Sequence, residues 1–475
     1  MSAPADLWPF LLAGIVPVIQ AAAAVHVLLH KRDTRAAVGW MGLIWLVPLI
    51  GAILYAFLGI NRIQRKARTL RPEPAGYEDA IAGGPIAPRD VVAHLGPEAR
   101  QFAGLARLGD AVTGRPLLGG NAVSCLVDGD EAYPAMLDAI RGARRSVALL
   151  TYIFDNDRVG TRFRDALREA RARGVEVRVL IDDVGARYSR PSMVRALRRA
   201  RVPVARFMPS AVPWRMPYFN LRNHRKIMVV DGHTAFTGGM NIRDEFWRAE
   251  AAGHDARDLH FRIQGPVVCE IQEVFAEDWT FTTGERLEGP AWFPDLARTG
   301  PVIARGISDG PDIDYEKLET VLLGALSRAR SSVRILTPYF LTDQFLIRAL
   351  AVADLRGVDV EVVLPEEGNL AMVQWASTAQ LDLLVEKGVR VFASPPPFDH
   401  SKLMVVDGCW TLLGSANWDP RSLQLNFEFN VECYDRELGS RMEALFAERR
   451  DRSDEITLDE LRDRSLPVRL RDSVA

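Results

Sequence analysis

At 475 residues the chain is long enough for two ordinary domains, and a hydrophobic content of 48% suits a cored protein that also carries membrane sequence. A formal net charge of −2 excludes a general basic field, and with it wholesale binding of nucleic acid. Cys125, Cys269, Cys409 and Cys433 are scattered, with neither CxxC spacing nor a histidine cluster, and no acidic cluster announces a divalent ion. We therefore expect reduced core thiols and a reaction without metal or cofactor.

The first elements in chain order are two apolar stretches. Leu7 to Leu29 is broken only by Gln20 and His26, and Ala36 to Ile60 contains no charged residue. Each is long enough to cross roughly 30 Å of hydrocarbon as a helix, and the connector from His30 to Arg35 is too short for a domain, so residues 1–60 are expected to form a transmembrane hairpin. Arg62, Arg65, Lys66, Arg68 and Arg71 follow the second stretch, against Lys31, Arg32 and Arg35 in the connector. By the positive-inside rule that balance leans toward a cytoplasmic catalytic region. Residues 61–120, rich in Pro, Gly and Arg, read as a linker with one helix around Glu98 to Val112.

A repeat follows. RSVALLTYIF at Arg145 to Phe154 matches SSVRILTPYF at Ser331 to Phe340, and ARGVEVRVLID ending at Asp182 matches LRGVDVEVVLP ending at Pro365. Helical spacing covers Tyr133–Ala143, Arg162–Arg173 and Met193–Ala200, with counterparts at Tyr315–Arg328, Thr342–Arg356 and Leu370–Lys387. Buried strands alternating with helices predict an α/β fold: two similar α-β-α sandwich halves, 121–300 and 301–475, packed about a pseudo-twofold axis. The second half ends in a helical tail.

Each half carries one copy of a spaced pattern, HRKIMVVD at His224 to Asp231 and HSKLMVVD at His400 to Asp407, followed by TGGMN through Asn241 and LGSAN through Asn417. With only eight histidines in the chain, composition predicts on the order of 0.01 such matches, so two are a repeat. On a strand, residues i and i+2 share a face, which puts His224 beside Lys226 and His400 beside Lys402. Imidazole serves as nucleophile or proton carrier near neutral pH, and the neighbouring ammonium holds a phosphate oxygen. A pseudo-twofold axis would bring both copies into one site. Asp231 and Asp407 complete the two motifs, but their parity puts them on the opposite strand face, which favours a structural role at the strand end.

These motifs resemble the phospholipase D superfamily. The hairpin with KRD between its stretches, DGDEAYPAMLDAIRGARRSV, TYIFDND, DLHFRIQGP and GSANWDPRSLQLNFEFN resemble, more narrowly, the bacterial cardiolipin synthases. The resemblance runs from about Lys31 to Asp435. It implies a membrane-bound phosphatidyltransferase of the bacterial inner membrane that joins two phosphatidylglycerol molecules into cardiolipin plus glycerol through a phosphatidyl-histidine. By the same analogy His224 is the nucleophile and His400 the acid and base, while Lys226, Lys402, Asn241 and Asn417 hold the phosphate oxygens. Carboxylates are needed behind the histidines, and Asp258 and Glu428 are the candidates. Ser415 is a candidate for a further hydroxyl at the phosphate, and Arg421 for either a second lipid phosphate or a structural ion pair. Tyr152, Phe154, Tyr339 and Phe340, at strand ends, read as core before site. PSAVPWRMPYFN, Pro209 to Asn220, reads either as a loop dipping into the bilayer or as one buried on the domain. PEEGNLAMVQWASTAQ departs from the family pattern in lacking an expected aspartate and tyrosine. The rival functions are a hydrolase with water as acceptor, a transferase with another donor or acceptor, and, from a different class, a noncatalytic membrane scaffold.

Overall fold

The computed structural model describes residues 8–31, 34–59, 84–209, 221–249, 255–311 and 314–474. The chain divides into two units, one comprising Met1–Thr69 with Ser210–Asn220, the other Leu70–Pro209 with Leu221–Ala475. In the first unit a helix over Trp8–His30 packs on a second over Thr34–Leu46, enclosing Val27, Ile44 and Tyr55. The Gln20 amide donates to the Ile44 carbonyl at 2.6 Å, and His26 Nδ1 lies 2.8 Å from the Tyr55 hydroxyl. The second expected span is not one helix: it stops at Leu46, resumes over Ile50–Leu54 and closes in a π-helical turn, Tyr55–Gly59. Pro48, which has no N–H to donate and whose ring crowds the preceding turn, sits at the break. Among the described residues no helix is both long and apolar enough to cross a membrane.

In the second unit the repeat becomes two sets of strands laid in the same order within one large sheet. The first half contributes β1 (Leu117–Val127), β2 (Ser146–Thr151), β3 (Glu176–Asp182), β4 (Val204–Phe207), β5 (Ile227–Val230), β6 (Thr234–Gly238) and β7 (Leu259–Gln264). They lie in the order β1-β7-β6-β5-β2-β3-β4, with β2, β3 and β4 parallel and the other pairings antiparallel. The second half contributes β8 (Val302–Asp309), β9 (Ser332–Leu336), β10 (Asp359–Pro365), β11 (Arg390–Ser394), β12 (Leu403–Val406), β13 (Trp410–Gly414) and β14 (Asn426–Tyr434). Their order, β8-β14-β13-β12-β9-β10-β11, repeats the first strand for strand. β2 and β3 are flanked in sequence by the helices Asp128–Gly142 and Arg158–Ala172, and their counterparts by Lys317–Arg328 and Gln344–Leu355. Strands such as β2 and β5 are buried along their whole length, as sheets covered on both faces require.

The halves are not separate domains. One core cluster takes Leu150, Leu180 and Phe261 from the first half and Leu413, Phe429 and Val431 from the second, and β1 pairs with β8 across the join. The expected linker is folded where it is described: the helix Gln101–Thr113 buries Phe102, Leu105 and Ala106 against the second-half core. Gly109 is needed there because a Cβ would stand 1.8 Å from the Arg305 guanidinium, which is buried against Glu432 and pairs with Asp110.

Candidate active site

Two short strands place the motifs. Arg222–Asn223, immediately before His224, pairs in parallel with Asn426–Phe427 at the start of β14, and Phe398–Asp399, immediately before His400, pairs in parallel with Ala256–Arg257 just before β7. The ladder continues into the histidine backbones: the His224 N–H donates to the Phe427 carbonyl at 2.9 Å and the His400 N–H to the Arg257 carbonyl at 2.8 Å. The next residues along those partner strands are Glu428 and Asp258. Each histidine is thereby set beside a carboxylate of the opposite half.

The side chains follow. His224 Nδ1 lies 2.9 and 3.1 Å from the two Glu428 oxygens, and His400 Nδ1 lies 2.8 Å from Asp258 Oδ2. Both carboxylates are fully buried, whereas the histidine side chains keep 12% and 10% of their surface exposed. With Nδ1 committed to a carboxylate, Nε2 of each ring is the nitrogen left for a ligand. Lys226 Nζ donates to the His224 carbonyl at 2.7 Å, and Lys402 Nζ likewise to the His400 carbonyl. The charges of both lysines and of His224 act on His400, as expected if the two motifs share one locus.

Burial dominates the electrostatics. It pushes Lys226 down to about 7 and Lys402 to about 8, with Glu428 and Asp258 among the charges that oppose the fall. Burial and the charges of both lysines lower both histidines; Glu428 opposes the fall at His224, and His400, with no such opposing charge among its leading causes, falls further. Phe246, Tyr339 and Phe398 wall the His400 ring at centroid distances of 6.0, 6.4 and 6.0 Å. The carboxylates differ. Burial would raise Glu428, but His224, its hydrogen bond and Lys226 outweigh that and hold it below the ordinary glutamate value, so it is ionised. Asp258 is raised well above the ordinary aspartate value by burial, only partly offset by Lys402. One histidine thus faces a firmly ionised carboxylate and the other a carboxyl that resists ionisation.

Ser415 does not point a free hydroxyl at the cleft. Its Oγ donates to Glu428 Oε2 at 2.5 Å, so it orients the carboxylate. The first half has Gly239 at the matching place, where a Cβ would stand 2.4 Å from Asp258 Oδ1; glycine leaves the room that Asp258 occupies. Asn241 and Asn417 are buried, the first accepting from the Ile153 N–H at 3.1 Å, the second with its carbonyl oxygen unpartnered among the described residues.

Asp231 and Asp407 stand at the far ends of β5 and β12 from the histidines, both at positive φ, 54° and 53°. Asp231 accepts from the N–H groups of Arg144, Arg145 and Ser146, and Asp407 from those of Arg330, Ser331 and Ser332. They tie the entrance of β2 and of β9 to the motif strand, and they touch neither histidine. Although they complete the two motifs, seven residues along an extended strand carry them out of reach of the imidazoles.

Phe154 and Phe340 are core. Tyr152 and Tyr339 are instead half-buried beside the histidines, Tyr152 edge-on to His224 at 5.2 Å with Lys226 Nζ 5.8 Å from its ring centre. TYIF and TPYF place their tyrosines one residue apart, so an equivalence by position misses that each reaches a histidine. Arg421 is exposed on the short helix Pro420–Gln424, and its charge reaches Tyr152. Of the loop 209–220, all but Pro209 lies outside the described residues.

Arg225 is a residue that motif reading passed over as a variable position. It is buried, donates to the Glu428 carbonyl at 3.1 Å and pairs with Asp278 at 2.7 Å. In the second half the polarity is reversed: Asp399 pairs with Arg449 at 3.0 Å, both buried. His260, on the same face of its strand as Asp258, is kept neutral by burial, its value pushed down to about 3.

A duplicated α/β fold that converges two carboxylate-backed imidazoles with two buried lysines has the makings of a two-histidine phosphoryl-transfer site. The family model described as "Cardiolipin synthase, PLD-like domain" matches residues 136–279 and 322–450, and that described as "Phospholipase_D-nuclease N-terminal" matches 18–59. The cardiolipin synthase of Listeria monocytogenes serotype 4a is 30% identical over 457 residues, 95% of either chain. That of Geobacillus thermodenitrificans is 30% identical over 476 residues, 99% of this chain and 94% of the other. The phosphatidylserine synthase of Haemophilus influenzae Rd KW20 shares the fold, with a TM-score of 0.60 at 16% identity over 77% of this chain and 96% of that one. The chain belongs to the cardiolipin synthase family of the phospholipase D superfamily, and it is an enzyme of the phosphatidyltransferase type.

Proposed function

We propose that the enzyme condenses two phosphatidylglycerol molecules into cardiolipin and glycerol at the bacterial cell membrane, through a phosphatidyl group carried on His224. In the first step His224 Nε2 attacks the phosphodiester phosphorus, the bond from phosphorus to the glycerol headgroup oxygen breaks, and His400 gives that oxygen its proton. In the second, His400 takes the proton from a headgroup hydroxyl of another phosphatidylglycerol, whose oxygen displaces His224 from phosphorus. Lys226, Lys402, Asn241 and Asn417 bind the nonbridging oxygens as charge gathers on the five-coordinate phosphorus. Exchanging acid and base between steps makes one difficult displacement into two easier ones.

The observation that carries this reading is the crossed pairing of each Nδ1 with the other half's carboxylate, His224 with Glu428 and His400 with Asp258. The inequality of those carboxylates favours His224 as nucleophile. A phosphorylated imidazole is cationic, and an ionised Glu428 stabilises it. The packed helices of the first unit are proposed to hold the enzyme in the bilayer, with the catalytic unit on the cytoplasmic side.

A phosphatidyl ester of p-nitrophenol separates the roles, because nitrophenolate leaves without an acid. His400→Ala should release one equivalent of nitrophenolate and accumulate an alkali-stable phosphatidyl-histidine, while His224→Ala releases none. The opposite pattern would reverse the assignment, and full turnover in either variant on phosphatidylglycerol would remove both from catalysis. Phosphatidic acid as the main product would establish the hydrolase instead.

A further inference from the structure

Away from the active site, a groove of about 980 Å³ runs between the helices Arg158–Ala172 and Met193–Arg199. Arg164, Arg168, Arg171, Arg195, Arg199 and Arg201 line it, against a single carboxylate, Asp165, which Arg164 already holds at 2.9 Å. Arg168 has only a loose 3.9 Å contact with Glu169, and Arg171, Arg195, Arg199 and Arg201 make no ion pair among the described residues. On a chain whose net charge is −2, that is a local excess of positive charge facing one concavity.

Two ordinary explanations fall short. Helix C-termini attract arginine through the backbone dipole, which accounts for Arg171 and Arg199 in their last turns but not for Arg164, Arg168 or Arg195. A general preference for arginine fails on the protein's own symmetry. The equivalent helices of the second half, Gln344–Leu355 and Ala371–Val385, carry one arginine between them where the first pair carries eight, while each pair carries two carboxylates. The same framework that repeats the strands and the histidines does not repeat this charge.

We propose that the groove binds the headgroups of anionic phospholipids at the bilayer surface, and so seats the first half of the catalytic unit on membrane rich in such lipids. Guanidinium forks match phosphate oxygens in pairs, and five of the six have no firm partner to surrender. Ala172, Ala196, Ala200 and Pro191 between the arginines let a headgroup approach without meeting bulk. Asn156 also lines the groove, four residues beyond Tyr152 at the His224 ring.

The test uses the full chain in nanodiscs. All four native cysteines are buried, so Ala172→Cys can carry a bimane label in the groove, read against phosphatidylcholine bearing a nitroxide on its headgroup. Adding phosphatidylserine to phosphatidylcholine nanodiscs should increase quenching by about twofold or more, and raising salt to shorten the Debye length should remove the increase. Arg168→Gln/Arg195→Gln/Arg199→Gln should abolish it while leaving turnover of detergent-dispersed substrate within about twofold, a result independent of the histidine assay. Equal quenching in neutral and anionic discs, or an increase that survives the triple substitution, overturns the proposal. So does a change in bimane emission on adding inorganic phosphate, with no bilayer, that equals the change on adding phosphatidylserine nanodiscs without nitroxide, which would make this a site for free phosphate.

Discussion

Glu428→Gln tests whether the charge behind His224 matters or only its geometry. Glutamine keeps an oxygen for Nδ1–H but removes the negative charge from a fully buried position 2.9 Å from the ring. The lost interaction is the one that grows as His224 becomes cationic. Removing one charge of a buried, hydrogen-bonded pair costs about 3 kcal/mol or more, which at 1.36 kcal/mol per decade is roughly a 150-fold fall in the rate of forming the phosphatidyl-enzyme. Ser415→Ala removes only the hydroxyl that donates to Glu428 at 2.5 Å, an effect of about 1–1.5 kcal/mol and roughly tenfold. The assay is single-turnover release of labelled glycerol from phosphatidylglycerol, with the melting temperature measured in parallel. A Glu428→Gln rate within about threefold of the parent at unchanged stability would refute the electrostatic role.

Gly239→Ala should uncouple the other pair: its Cβ would stand 2.4 Å from Asp258 Oδ1, so turnover should fall at least about tenfold with the circular dichroism unchanged, and a fully active variant would contradict the packing. Asp231→Ala should lower stability by about 1–3 kcal/mol in chemical denaturation, because three backbone N–H groups lose their acceptor, while turnover per folded molecule stays within about twofold; a large kinetic loss in a stable variant would return it to the catalytic set. Lys226 and Lys402 titrate near 7 and 8 in the folded protein against about 10.4 when unfolded, so the native state binds fewer protons between those values and stability should rise with pH from about 7 to 10. Over the same window the phosphate site loses its cations, so kcat/KM should fall as stability climbs, and parallel changes in both would exclude the lysines as the titrating groups.

The repeat, the strand character of the motifs and the shared face of each histidine and lysine follow from local periodicity, which neighbouring residues determine almost alone. That locality also explains why Asp231 and Asp407 could be set apart by strand parity. It does not reach the break at Pro48, where an apolar stretch read as one element is divided by a single missing donor. Nor does it reach Ser415, whose partner Glu428 lies thirteen residues on, or Arg225, whose partners Asp278 and Ser308 are 53 and 83 residues away. The crossed pairs are the clearest case. Asp258 and Glu428 were named as carboxylates, but their assignment to His400 and His224 depends on two short parallel ladders that join the halves. Composition and spacing supplied the reacting groups; which carboxylate backs which imidazole, and which one stays ionised, was decided by long-range strand pairing and by the water that this pairing excludes.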